Sequence, residues 1–138
     1  MKGVYLLYLR VIKSIRVRVG SLGVLRLTPG LYIYVGSAQG TLESRVRRHA
    51  LKRKKKHWHI DYLTGNRWVN TLKAEAYPLP RHYECLLASR LRKIGQEIPR
   101  FGASDCHCAS HLFKINHENV NEVIKTITEL NPHLIELR

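Results

Sequence analysis

The sequence predicts a single α+β domain spanning residues 1–138, with strands concentrated in the N-terminal third and helices alternating with strands after it. The chain has 138 residues, of which 44% are hydrophobic, which suits one core but leaves little room for two. Apolar residues alternate or form short runs up to residue 35, as in strands, and later recur at helical spacing. No repeat and no low-complexity linker marks a second domain.

The N-terminal third is predicted to be a β-meander. Residues 3–12 form an apolar run typical of a buried strand, and apolar residues alternate with arginines over 15–19, as in a half-exposed strand. Residues 20–23 supply a glycine turn, and 24–27 return as the partner strand. After a Pro-Gly break, the β-branched and aromatic run 31–35 predicts a further strand.

Two helices and a strand are expected in the middle of the chain. Thr41 suits the N-cap of a helix over 41–54, whose apolar residues share one stripe. Residues 58–63 predict a short second helix. Residues 70–77 predict a strand, which two prolines end.

The C-terminal part is predicted to contain two more helices. Apolar residues recur at helical spacing over 82–94, with Gly95 in the C-cap region. A loop is expected over 101–110 and a short strand over 111–115. The apolar spacing over about 118–130 predicts a final amphipathic helix.

The charge of the chain favours a polyanionic partner. Its formal net charge is +14, and almost all of that excess, +13, lies in residues 1–69. Residues 45–56 hold eight cations and no acid. Solubility alone does not explain such a run, because a surface of mixed charge would be equally soluble. We therefore expect this run to bind the phosphate backbone of nucleic acid. Its cations are Arg45, Arg47, Arg48, Lys52, Arg53, Lys54, Lys55 and Lys56.

Aromatic residues beside this run have two interpretations. Trp58 and Tyr62 follow the cations closely and are candidates for stacking on bases. A place in the core is the more common role for such residues, and both alternatives stay open for the sequence.

No segment predicts a membrane span or a secretory signal. The longest uncharged apolar stretch near the N-terminus, residues 4–9, is far shorter than the roughly 20 apolar residues that a spanning helix needs. No small-residue cleavage site follows a long apolar region there. We expect a cytoplasmic protein without a membrane partner.

Arg45 and His49 are four residues apart on the predicted helix, so both side chains lie on one face and can converge on one phosphate. They follow a glycine turn. Five motif elements that include them recur along the chain: Gly3-Val4-Tyr5, Tyr34-Val35-Gly36, Arg45, His49 and Glu84.

In this order, the five elements resemble the motif set of the GIY-YIG nucleases. Segments 32–40, 58–62 and 101–108 resemble, more closely still, a small stand-alone and functionally uncharacterised prokaryotic branch of that superfamily. The resemblance covers roughly residues 3–115 and rests on the order of the elements, since each tripeptide alone has little specificity.

The resemblance implies a small mixed or antiparallel sheet flanked by helices and an endonuclease that hydrolyses phosphodiesters with one Mg²⁺ or Mn²⁺ ion. Glu84 would hold that ion, Arg45 would steady the scissile phosphate, and His49 would belong to the same catalytic group. Tyr5 or Tyr34 would take the proton from the attacking water.

The residues themselves agree with a single metal ligand at Glu84. Only Glu43 and Asp61 precede residue 75 as acids, too few for a site built from several carboxylates. Glu84 lies three and four residues before Leu87 and Ala88, on the inward face of its helix, where a cation would offset the cost of an unpaired carboxylate. The alternative is an ordinary acid in a first helical turn, which the helix dipole favours.

The two tyrosines also have a structural alternative, as sheet aromatics with hydroxyls at the surface. A tyrosine base needs a pKa below its usual value of about 10, and we expect Arg45 or His49 to lower it.

The sequence departs from the usual superfamily pattern in two places. Tyr5 and Tyr34 are separated by an inserted strand pair, 15–27, after the first strand. The amide side chain often found late in the site has no clear counterpart, and Asp105 and His111 are the polar candidates in that region.

The cysteines raise the possibility of a zinc site. Three cysteines are an odd number, which argues against a disulfide framework and for reduced thiols or a metal site. The C-x-C-x2-H spacing is not a common structural zinc signature, so we do not expect zinc. The residues concerned are Cys85, Cys106, Cys108 and His111.

The function expected from the sequence is a metal-dependent endonuclease acting on nucleic acid, with DNA favoured over RNA. The main alternative is a non-catalytic basic nucleic-acid-binding module, and a third is a zinc-stabilised interaction domain. No separate specificity domain is visible, which favours recognition of a structure or lesion, or a partner protein that supplies targeting. The oligomeric state stays open.

Overall fold

A six-stranded antiparallel sheet lies at the centre of the computed structural model, which describes residues 1–102, 110–115, 124–125, 130–135 and 137. The strands in the described residues are β1 (Gly3–Val11), β2 (Ile15–Arg18), β3 (Val24–Leu27), β4 (Gly30–Ala38), β5 (Val69–Tyr77), β6 (Gly95–Glu97), β7 (Leu112–Ile115) and β8 (His133–Ile135). The helices there are α1 (Leu42–His49), α2 (His59–Thr64) and α3 (Tyr83–Leu91), with a 3-10 turn at Gly20–Leu22. The α+β class is confirmed.

The strand order of the large sheet is β6-β7-β4-β1-β5-β8, and β2 and β3 form a separate two-stranded sheet. The predicted meander is wrong, because β1 pairs with β4 and β5 and not with β2. All but one residue of β1 are buried, so this strand needs long partners on both sides. The four-residue strands β2 and β3 expose alternate residues and form the inserted hairpin that was predicted.

The sheet separates two hydrophobic clusters. One face carries α1, α2 and the β2–β3 hairpin, which contribute Val46, Leu63 and Val17 among others. The opposite face carries α3, through Leu87 and Leu91. The cation-rich segment and the downstream helix with Glu84 therefore belong to different layers of the fold.

Helix α1 ends at His49, five residues before the predicted end at residue 54. A longer helix would place like charges four apart, as at Arg48 and Lys52, which is destabilising. Instead, Lys54 Nζ donates to the carbonyl oxygens of Arg48 (3.1 Å) and His49 (3.2 Å), which satisfies the helix end. Thr41 does occupy the N-cap position, but its side chain makes no capping hydrogen bond.

The other predicted elements differ mainly at their ends. Helix α2 begins one residue late, α3 ends at Leu91, and Gly95 is the first residue of β6 and not a helix cap. A Cβ at Gly95 would clash with the carbonyl oxygen of Lys114 on the paired strand, so the pairing with β7 requires a glycine there. Strands β6 and β8 have three residues each, too few for a sequence pattern.

Several predicted features lie outside the described residues. Ile124 and Lys125 are helical, but most of the predicted helix over 118–130 is not described. Asp105, Cys106 and Cys108 also fall outside. Among the residues that are described, no helix is both long and apolar enough to cross a membrane.

Candidate active site

Five residues singled out in the sequence line one open cleft of about 530 Å³. They come from four elements of the fold: Tyr5 from β1, Tyr34 from β4, Arg45 and His49 from α1, and Glu84 from α3. The structure therefore brings together every catalytic candidate proposed from the sequence.

Sheet register places the two tyrosines side by side. Tyr5 lies opposite Gly36, and Tyr34 lies opposite Leu7, two positions along the same face. The Tyr5 and Tyr34 ring centroids are 6.4 Å apart. A Cβ at Gly36 would collide with the Tyr5 ring, so this glycine leaves the space in which the ring lies.

Tyr5 forms a hydrogen bond with His49. Its hydroxyl oxygen lies 2.8 Å from His49 Nε2, and the exposed fractions of the two residues are 2% and 1%. Burial, reinforced by the nearby charge of Lys54, lowers the pKa of His49 to about 3, so its imidazole is neutral at pH 7. A neutral imidazole can accept the Tyr5 hydroxyl proton at Nε2.

The expectation that Arg45 or His49 lowers the pKa of Tyr5 is wrong. Burial raises the pKa of the Tyr5 hydroxyl well above its usual value, and the opposing effect of Arg45 is smaller. His49 is neutral and supplies no positive charge. Tyr5 is therefore a protonated hydroxyl that is hydrogen-bonded to a neutral His49.

Arg45 is fixed at the rim of the cleft. One guanidinium nitrogen donates to the carbonyl oxygen of Ser37 at 2.5 Å, and Cζ lies 4.5 Å from the centroid of the Trp58 ring. Trp58 is 39% exposed, so the core interpretation is wrong for this residue. Tyr62 is partly buried and packs against the core.

Glu84 lies in the first turn of α3 and is only 9% exposed. Its Oε1 lies 3.5 Å from His111 Nδ1, so the carboxylate has a partner. The expectation of an unpaired carboxylate is therefore wrong. A Mg²⁺ ion binds proteins through one or two carboxylates together with water and substrate phosphates, and a single carboxylate in the cleft fits that requirement.

Within the described part of the chain, no group of three His, Cys, Asp or Glu side chains could hold a metal by itself. Two of the four candidate zinc ligands, Cys106 and Cys108, lie outside the described residues. Cys85 is disulfide-bonded, so the expectation of reduced thiols is wrong for it.

Comparison with known families matches residues 4–132 to the family described as Domain of unknown function DUF123. The chain belongs to this family. No curated protein and no solved structure was found to match it. The DUF123 match spans all the residues that line the cleft, from Tyr5 to His111.

Three of the predicted phosphate-binding cations are held by the fold of this DUF123 chain. Arg48 forms two hydrogen bonds to the carboxylate of Asp61, at 2.8 and 3.1 Å, and also donates to the carbonyl of Lys55. Lys52 donates to the carbonyl oxygens of Asn66, at 2.8 Å, and Val69.

Lys54 is the third cation that the fold holds. It caps α1 and donates to Thr64 Oγ1 at 2.5 Å. The four other cations of the run apart from Arg45 are exposed: Arg47, Arg53, Lys55 and Lys56.

Asp61 organises the entrance to α2. Its carboxylate accepts the backbone N–H of His57 at 2.8 Å and of Trp58 at 3.0 Å, in addition to Arg48. Although burial opposes it, this set of donors holds the pKa of Asp61 below its usual value. Asp61 is thus a structural carboxylate that positions Trp58.

His59 also lines the cleft and was not predicted as a site residue. Its Nδ1 accepts the backbone N–H of Gly102 at 2.8 Å, so the ring proton of the neutral form lies on Nε2. Burial lowers the pKa of His59, which favours that neutral form. The sequence signals were the position of His59 beside Trp58 and its place in the 58–62 segment, whereas its partner Gly102 is 43 residues away.

Proposed function

We propose that this protein is a metal-dependent endonuclease of the GIY-YIG type that hydrolyses phosphodiester bonds in nucleic acid, with DNA as the expected substrate. The observation that carries the proposal is the convergence of Tyr5, Arg45 and Glu84, from distant parts of the chain, in one cleft. A general base, a cation for the phosphate and a carboxylate for a metal are the groups that this hydrolysis needs.

In the proposed reaction, water attacks phosphorus and the bond from phosphorus to the leaving oxygen breaks. The Tyr5 hydroxyl oxygen takes a proton from the water while its own proton passes to His49 Nε2, 2.8 Å away. This relay replaces a free tyrosinate, which the burial of Tyr5 disfavours, with a transient imidazolium at His49. Burial disfavours that cation too, so the negative charge that develops on the attacked phosphate would have to offset it. The leaving oxygen takes its proton from solvent.

Arg45 would stabilise the charge that develops on the phosphate oxygens. Its guanidinium is already oriented by Ser37 and Trp58, so little reorganisation is needed when the phosphate enters. His59 Nε2–H is a second donor available in the cleft. A Mg²⁺ or Mn²⁺ ion held by Glu84 would polarise the phosphate when bound.

A non-catalytic nucleic-acid-binding module is the second candidate function. It is favoured by the exposed cations of the 45–56 run and by exposed Trp58, which would suffice for binding. A pure binder has no need for the buried Tyr5–His49 pair or for Glu84, so we favour the enzyme.

The test is incubation of the purified protein with branched, flapped, mismatched and single-stranded DNA, and with the matching RNAs, in Mg²⁺, Mn²⁺ or EDTA. We expect cleavage of at least one substrate in either metal and none in EDTA, with Tyr5→Phe as the inactive control. Binding without cleavage of any substrate would support the binding module, and absence of both would overturn the proposal.

A further inference from the structure

The β2–β3 hairpin has a solvent face that carries three arginines. Alternate residues of the two strands, Ile15, Val17 and Leu27, are buried in the core on the α1–α2 side of the sheet. The intervening residues point outwards and are exposed: Arg16, Arg18, Val24 and Arg26.

The arrangement of these arginines is unfavourable for the protein alone. Arg16 lies directly opposite Arg26 in the register of the hairpin, and like charges in that position destabilise a sheet. None of the three makes a hydrogen bond or ion pair with any described residue. No acidic residue occurs in the first 42 positions of the chain, so their own segment offers no counter-charge.

The hairpin leads directly to the cleft. Gly20 and Ser21, at its tip, line the cleft, and Gly20 packs close to the Tyr62 side chain of α2. Arg18 and Arg16 precede Gly20 by two and four residues, which places them about 7 and 13 Å back along the strand. The arginine face therefore extends from the edge of the cleft outwards.

We infer that the outer face of the β2–β3 hairpin binds the phosphate backbone of the duplex that flanks the cleavage site. The inference rests on the proposed function, since the cleft must receive nucleic acid. Phosphates would supply the counter-charge that Arg16, Arg18 and Arg26 lack. No aromatic side chain accompanies them on this face, whereas binding of single strands generally uses stacked aromatics.

The experiment compares two triple variants with the wild type. The hairpin variant is Arg16→Gln/Arg18→Gln/Arg26→Gln, and the matched control is Arg90→Gln/Lys93→Gln/Lys125→Gln. The control removes three exposed cations from the part of the chain that packs on the opposite face of the sheet. Binding to a blunt DNA duplex and to one of its single strands is measured in EDTA over a range of salt concentrations.

The hairpin variant should reduce the slope of log K against log salt for the duplex by about 2–3, at roughly 0.9 for each lost phosphate contact. The control should retain most of the slope. A charge-retaining variant, Arg16→Lys/Arg18→Lys/Arg26→Lys, should also retain it. Relief of the Arg16–Arg26 repulsion should leave the melting temperature of the hairpin variant unchanged or raised.

An unchanged slope in the hairpin variant would overturn the inference, as would an equal reduction in the control. An equal reduction for duplex and single strand would overturn the assignment to a duplex. A wild-type protein that cleaves nucleic acid while the hairpin variant binds normally would refute only this inference. Absence of any binding by the wild type would refute the proposed function itself.

Discussion

Tyr5 and His49 form a buried hydrogen-bonded pair, with 2.8 Å between the tyrosine oxygen and Nε2, although they are 44 positions apart in the chain. Both groups are neutral at pH 7, because burial raises the pKa of the tyrosine and lowers that of the histidine. The pair can move a proton without holding a charge at rest. Its properties lead to the first two predictions.

The first prediction concerns stability at acid pH. The pKa of His49 is about 3 in the folded protein against an ordinary value of 6.5. The contribution of His49 to the free energy of unfolding is complete above pH 6.5. It is lost as the pH falls towards 3, because in this range the unfolded chain takes up the proton and the folded protein does not. The free energy of unfolding should therefore fall by up to about 1.4 kcal/mol per pH unit in that window through this group.

His49→Gln should remove this component and give a shallower pH dependence. Urea unfolding of both proteins at pH 7 and pH 5 measures the difference. Identical losses in wild type and variant would mean that His49 titrates normally in the folded state.

The second prediction concerns the relay in catalysis. Tyr5→Phe keeps the ring but removes the hydroxyl, and cleavage should fall by about 10²-fold or more. His49→Gln should cost a similar factor, and the double variant should be little worse than either single one, because the two residues act as a unit.

Tyr34→Phe is the matched control. A larger loss in Tyr34→Phe than in Tyr5→Phe would transfer the role to Tyr34.

The order of the motif elements along the chain predicted which residues line the cleft. The two tyrosine motifs stand on strands, Arg45 and His49 share one helix face, and Glu84 opens a helix. The direction in which the pKa of Tyr5 shifts was not predictable from the sequence. It depends on the burial of Tyr5 beside His49, which only the tertiary structure produces.

The basic run shows the same limit of sequence reasoning. The sequence predicts Arg48 and Lys54 to be surface cations. In the structure, Arg48 pairs with Asp61 and Lys54 caps α1. A charge pattern indicates how many cations a segment holds but not which of them find internal acceptors. Likewise, β1 pairs with β4, from Val11 opposite Gly30 to Gly3 opposite Ala38, and not with the adjacent hairpin.

The third prediction separates the structural cations from those available to phosphate. Arg48→Gln removes the cation from the fully buried Asp61 carboxylate, which then keeps only the N–H donors of His57 and Trp58, and should lower the free energy of unfolding by about 2 kcal/mol. Arg53→Gln, at an exposed position, should change stability by less than about 0.5 kcal/mol and weaken nucleic-acid binding. Equal stability of the two variants in urea unfolding would show that the Arg48–Asp61 pair is unimportant.

The fourth prediction concerns Gly36, opposite Tyr5. A methyl group at this position collides with the tyrosine ring, so Gly36→Ala should move the hydroxyl away from His49. Overpacking of this kind should cost about 1–3 kcal/mol of stability. Misplacement of the hydroxyl should lower cleavage by about 10²-fold. Wild-type melting temperature and cleavage in Gly36→Ala would contradict the close packing of Gly36 against the Tyr5 ring.

The most direct test of the endonuclease proposal is a Mg²⁺ titration of single-turnover cleavage by wild type and Glu84→Gln, with substrate binding measured in parallel. The variant keeps the size of the side chain and removes the charge that would hold the metal. We expect substrate binding to survive and cleavage to fall by at least about 10²-fold at every Mg²⁺ concentration. If Glu84→Gln cleaves at the wild-type rate with the same dependence on Mg²⁺, Glu84 is an ordinary first-turn acid, and the proposed metal-dependent mechanism is wrong.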